Sequence, residues 1–196
     1  EQAAGKMATF AESNTDLRLP FFGWSTTAEA YQSVNPAAIV LLAPLVGMLF
    51  TRRAGRFPST IMKFVIAVLI VGLSALMLGY GFQIWPGGQD LSPWWFLALV
   101  YVIQTVAELF LTPVGLATTT ALAPKSFASQ AMGLWWLSVA TGQGVAGFVI
   151  AQTEHLSDAT YYYGLGAATL LMALVLFAVA PWTQRQMADV ETATAK

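Results

Sequence analysis

Five apolar stretches fill most of this chain, at about 31–50, 59–82, 93–122, 128–151 and 161–180. A helix needs roughly 20 residues, at about 1.5 Å each, to cross the hydrocarbon core of a bilayer. All five meet that length. In lipid a span has no water to satisfy its backbone groups, so each must be a helix or part of a closed barrel. The ten-residue alternation of a barrel strand is missing, which leaves helices. The separators carry turn chemistry, among them Arg-Arg-Ala-Gly-Arg-Phe-Pro, Trp-Pro-Gly-Gly-Gln-Asp, Ala-Pro-Lys-Ser and His-Leu-Ser-Asp.

Composition agrees: 57% of residues are hydrophobic and only 10% charged, too few charges to cover the surface of a soluble domain. A net charge of −1 argues against nucleic acid, which needs a concentrated basic face. With no cysteine and a single histidine, His155, the chain lacks the means for a disulfide framework, a thiol nucleophile or a histidine metal cluster.

Loop charge sets the expected orientation. Arg52, Arg53, Arg56 and Lys63 cluster around the first connection, Lys125 marks the third, and Arg185 and Lys196 follow the last span. The intervening loops hold Asp90, Glu154, His155 and Asp158, with neither Lys nor Arg. The positive-inside rule then places the basic loops and the C-terminus in the cytoplasm, and the segment 12–29 outside. Counting back, residues 1 to about 11 arrive from the inside as the outer half of another helix. The lack of an initiator Met or signal peptide fits a chain that continues a longer one. Five and a half helices ending in the cytoplasm match the C-terminal half of a transporter built from two six-helix bundles.

The spans are punctuated by Pro36 and Pro44, by Pro113, and by Gly142, Gly144 and Gly147. Such residues are common in membrane helices, where they permit close packing. Alternatively, they break helices and turn carbonyls and dipole ends toward a cavity.

Glu108 is the residue worst placed for structure alone. It lies in the middle of the third span, where a carboxylate costs at least ~2.5–3.5 kcal/mol and needs a partner, water or a proton. Gln104 and Thr112, one turn either side, make a polar stripe with it. Asn35 stands before Pro36, a pattern that reads as an N-cap followed by a first-turn proline. Trp135 and Trp136, with Ser138 nearby, lie deeper than an interfacial belt. Trp85, Trp94, Trp95, Tyr161, Tyr162, Tyr163 and Trp182 fit that belt. Lys6 is close enough in sequence to Glu1 for a local ion pair.

Four segments together resemble the proton-dependent oligopeptide transporters, a branch of the major facilitator superfamily. Glu-Leu-Phe-Leu-Thr-Pro-Val-Gly-Leu at 108–116 is similar to their tenth helix. Ser-Gln-Ala-Met-Gly-Leu-Trp-Trp-Leu-Ser at 129–138 is similar to their eleventh. Tyr-Gln-Ser-Val-Asn-Pro at 31–36, then Leu-Leu-Ala-Pro at 41–44, resembles the eighth. Glu-Gln-Ala at 1–3 and Phe-Ala-Glu-Ser-Asn-Thr-Asp at 10–16 resemble the end of the seventh helix and the loop after it.

The resemblance implies an all-α membrane fold, the C-terminal six-helix bundle of a major facilitator transporter. On that reading residues 1–16 are the outer half of transmembrane helix 7 and 17–30 a periplasmic loop. Residues 31–182 are helices 8–12, and 183–196 a cytoplasmic tail. It implies proton-coupled symport of di- and tripeptides across a bacterial inner membrane, with the proton as coupling ion and no other cofactor. Glu108 would meet the peptide amine, Asn35 would bond the peptide, and Trp135 would shape a side-chain pocket with Trp136 and Ser138 beside it. Glu1 would take and release the proton. The partners are the peptide, the proton, the lipid bilayer and the N-terminal six-helix half of the same transporter, which supplies the cationic end of the cavity. One departure stands out: Ala4-Gly5-Lys6 occupies the place of a run such as Gly-Ser-Ser, putting an ammonium near Glu1. The main alternative is a major facilitator protein for another small metabolite, such as nitrate or a drug. A membrane enzyme lacks a catalytic constellation here, and a scaffold would call for larger loops.

Overall fold

The computed structural model describes residues 6–18, 25–52 and 58–194. Among these lie six α-helices: α1 (Lys6–Ser13), α2 (Val34–Arg52), α3 (Thr60–Ile84), α4 (Trp94–Leu122), α5 (Ala128–Gln152) and α6 (Asp158–Thr194). Five of them, counting the 3-10 turn Ala28–Ser33 with α2, are long and apolar enough to cross a membrane. The second to fourth spans, α3 to α5, begin and end within a residue or two of the apolar pattern, but the fifth, α6, does not. It starts at Asp158 and runs on past Pro181 through polar residues to Thr194. A proline disturbs mainly the turn preceding it, and the Thr-Gln-Arg-Gln-Met-Ala sequence that follows supports a helix without an apolar face.

Of the two readings of the prolines and glycines, the helices fit the one without breaks. Helix α2 continues through Pro44 and α4 through Pro113. Helix α5 passes Gly142, Gly144 and Gly147 without interruption, and a Cβ at any of these would meet open space. Asn35 is not an N-cap either. The 3-10 turn leads into α2 through Val34, which is already helical at φ −63° and ψ −39°, so Asn35 falls inside the helix with its side chain free to reach a neighbour.

Helices α3 and α6 are antiparallel and closely packed. Tyr163 Oη donates to Gln83 Oε1 at 2.7 Å near one end, and Gln184 Nε2 donates to Ser59 Oγ near the other. Glycine makes the approach possible: a Cβ on Gly166 would stand 2.6 Å from Leu76 and 3.1 Å from the Gly72 carbonyl oxygen. Small residues at such crossings let dispersion contacts, rather than the hydrophobic effect, hold helices together in lipid.

The tightest core lies at one end of the bundle. Met7 and Phe10 of α1 are fully buried against Leu78 and Phe82 of α3, Phe96 and Val100 of α4, and Tyr161 and Tyr162 of α6. Phe10 meets Phe82 edge-on at 4.6 Å, and Phe82 stacks on Tyr162 at 5.6 Å. Tyr161 and Tyr162 therefore belong to the core, not to an interfacial belt, because α1 covers them. Trp95 and Trp182 remain 49% and 64% exposed, as a belt requires. A polar staple closes this end. Asn14 Nδ2 donates to the Trp85 carbonyl at 2.8 Å, and backbone bonds pair Asn14 and Asp16 with Ser92. Gly87 and Gly88, at φ +95° and +74°, turn the chain between α3 and α4.

The pair expected between Lys6 and Glu1 lies outside the described residues, but Lys6 has a partner among them. Its Nζ lies 2.5 Å from Asp158 Oδ1 at the start of α6, and 4.6 Å from the centroid of the Tyr161 ring.

Candidate functional site

Helix α4 packs against α3, α2 and α5. Among the described residues α5 buries no side chain, and α2 buries only Ala38. The face of α4 toward these two helices is thus the open side of the bundle. Glu108 projects there and is exposed in this chain.

The carboxylate has a defined partner. Asn35 Nδ2 of α2 donates to Glu108 Oε2 at 3.3 Å. The other end of the same amide, Oδ1, accepts from Thr105 Oγ1 at 2.8 Å. Thr105 is 1% exposed, and its hydroxyl also lies 2.8 Å from the Tyr101 carbonyl one turn back. Asn35 thus bridges α2 to α4 with both amide ends engaged. The one ion pair among the described residues is Lys6–Asp158, so no cation of those residues neutralises Glu108.

Trp135 comes to the same helix from α5. The outer edge of its indole reaches Gly115: a Cβ there would be 2.0 Å from Cη2 and 2.5 Å from Cζ3. Gly115 follows Glu108 by seven residues, which returns to the same face of α4 after two turns, about 10 Å along the axis. The Pro-Val-Gly stretch of 113–115 therefore has a physical purpose, since only glycine admits the ring. Thr112 lies between the two on this face.

Other expected members stand apart. Trp136 follows Trp135 by about 100° around α5 and is 55% exposed. Ser138 Oγ donates to its own helix, at the Trp135 carbonyl, 2.7 Å away. Glu1 lies outside the described residues. Thr105 was not singled out from sequence, although its place three residues before Glu108 puts it on the neighbouring surface of the helix. The stripe drawn from Gln104 and Thr112 used only the four-residue spacing.

Among the described residues, five helices of membrane-crossing length thus carry a carboxylate and an amide in contact between two of them. The chain belongs to the POT family, whose model matches residues 1–165. It is similar to an uncharacterised transporter, YclF, of Bacillus subtilis (strain 168), at 32% identity over 97% of this chain and 38% of the relative. It is similar also to a di-/tripeptide transporter of Lactococcus lactis subsp. lactis (strain IL1403), at 30% identity over 97% of this chain and 38% of the relative. Among solved structures, a POT family transporter in complex with a thioalcohol-conjugated peptide superposes with a TM-score of 0.82 at 31% identity, covering 92% of this chain and 37% of that one. The chain thus spans well under half the length of the relatives it matches.

Proposed function

We propose that this chain is the C-terminal six-helix half of a proton-coupled symporter, carrying di- and tripeptides across a bacterial inner membrane by alternating access. The observation that carries the reading is Glu108, a carboxyl group within an apolar helix, held by the Asn35 amide and by no cation of the described residues.

The chemistry follows from what a peptide presents. Its ammonium needs an acceptor, and its carboxylate needs a cation a fixed distance away. Asn35 occupies Glu108 Oε2, which leaves Oε1 to accept from the ammonium. An extended residue spans about 3.5 Å. The Trp135 ring, about 10 Å along α4 from Glu108, is therefore placed to meet the side chains of a short peptide, not its amine. Apart from its one N–H the ring offers apolar surface, which supports tolerance of side-chain type. The cationic end belongs to the N-terminal half.

Glu1 is the proposed site of the coupling proton, and the proton is the only coupling species in this reading. Protonation would weaken contacts between the halves and shift the population between outward- and inward-open states. The basic connections face the cytoplasm in this reading, and no enzymatic step is assigned.

The relatives named as peptide transporters, and the peptide-bound POT structure, support peptides as the cargo. Nitrate is disfavoured by Glu108, because an anionic pole repels an anion. The test is uptake by the intact transporter in proteoliposomes of a dipeptide, the same dipeptide with its amine acetylated, and nitrate. Uptake of the free dipeptide alone, abolished by an uncoupler, is expected. Equal uptake of the acetylated form, or preference for nitrate, would overturn the reading.

A further inference from the structure

We infer that Thr105 is a positioning residue for the substrate amine, setting which end of the Asn35 amide faces Glu108. The inference rests on Glu108 being the amine-binding group. An ionised carboxylate can only accept hydrogen bonds, so Asn35 must turn its Nδ2 toward it, as it does at 3.3 Å. The amide oxygen then points away and needs a donor. Thr105 Oγ1 is that donor, 2.8 Å from Asn35 Oδ1.

Thr105 is 1% exposed, and its Oγ1 also lies 2.8 Å from the Tyr101 carbonyl of its own helix. The hydroxyl has one proton for these two acceptors, and the amide oxygen turned away from Glu108 is the one that depends on it, because the Tyr101 carbonyl belongs to a helix. Without the hydroxyl, Asn35 Oδ1 loses its donor inside an apolar bundle, an unfavourable state for a carbonyl. The amide then gains by turning, but a turned amide sets its oxygen against the Glu108 carboxylate, acceptor against acceptor. Either way Glu108 loses its fixed partner, and the oxygen left for an ammonium loses its aim. Thr105 touches no substrate in this arrangement; it acts through Asn35.

The back-bond to Tyr101 alone would make Thr105 merely structural, so the test uses amine selectivity. In the intact transporter, Thr105→Val keeps the shape and removes the hydroxyl, whereas Thr105→Ser keeps the hydroxyl. Uptake is measured for a dipeptide and its N-acetyl analogue. For the dipeptide, Thr105→Val is expected to raise KM about tenfold, the effect of one hydrogen bond near a charge, with little change in maximal rate. Selectivity over the acetylated analogue should fall equally, and Thr105→Ser should stay within about twofold of the parent on both measures. In a Glu108→Gln background, Thr105→Val should add nothing further. If Thr105→Val does not fold, Thr105→Ala is read in the same way. An unchanged selectivity in the folded variant, or a Thr105→Ser that fails as Thr105→Val does, overturns the inference. If Glu108→Gln itself leaves amine selectivity intact, the underlying reading of Glu108 fails instead.

Discussion

Lys6 Nζ and Asp158 Oδ1 meet at 2.5 Å, tying α1 to the first turn of α6 beneath the face of Tyr161. This tie and the burial of Met7 and Phe10 together hold α1 against the bundle. The Asp158 side chain is 37% exposed, and solvent screening keeps the pair's worth to about 1 kcal/mol. Lys6→Met and Asp158→Asn are each expected to lower the melting temperature of the purified transporter. The exchanged pair, Lys6→Asp with Asp158→Lys, should recover most of the loss. A double exchange worse than both single variants would show that the tie does not act as an ion pair.

Gly115 and Trp135 form a second dependent pair. The ring cannot keep its place beside a Cβ at 2.0 Å, so Gly115→Ala must displace it, at about 1–3 kcal/mol of overpacking. Uptake of dipeptides with bulky side chains should fall. Once Trp135 is itself replaced by Ala, Gly115→Ala should add little. Additive losses in the double variant would contradict the contact.

Two glycines in α6, two residues apart, should behave oppositely. Gly166→Ala forces a Cβ to within 2.6 Å of Leu76, whereas Gly164 faces open space. Thermal unfolding should show Gly166→Ala destabilised by about 1–3 kcal/mol. Gly164→Ala should be neutral or stabilised by up to about 1 kcal/mol, as expected from helix propensity.

Tyr162 is 1% exposed, and its hydroxyl has no hydrogen-bond partner among the described residues. Removing an unsatisfied buried hydroxyl relieves a cost of about 1–3 kcal/mol. Tyr162→Phe is therefore expected to match or exceed the parent in melting temperature while keeping the stack on Phe82. A marked loss would mean that the hydroxyl holds a water.

Span number and helix type were legible in the sequence because lipid imposes one rule on every apolar stretch. Glu108 was legible because a charge in that setting is anomalous. What escaped depends on neighbours. Asn35 has the local grammar of a cap, and only the turn running into α2 and the approach of α4 reveal a side chain bridging two helices. Tyr161 and Tyr162 have the composition of an interfacial belt until α1 is laid over them. Thr105 is an ordinary small residue in a helix, and it gains meaning only from the amide opposite. Lys6 reads as a neighbour of Glu1 along the chain, but its partner lies 152 residues away.

The central claim is that Glu108 receives the amine of the cargo. The direct measurement is proton-driven uptake of a free dipeptide and its N-acetyl analogue by the intact transporter carrying Glu108→Gln. The neutral amide keeps the size and the Asn35 contact but removes the charge. Free-dipeptide uptake should fall by at least about tenfold, the worth of a charge-assisted hydrogen bond, with preference over the acetylated analogue lost. Uptake and preference equal to those of the unsubstituted transporter would contradict the claim.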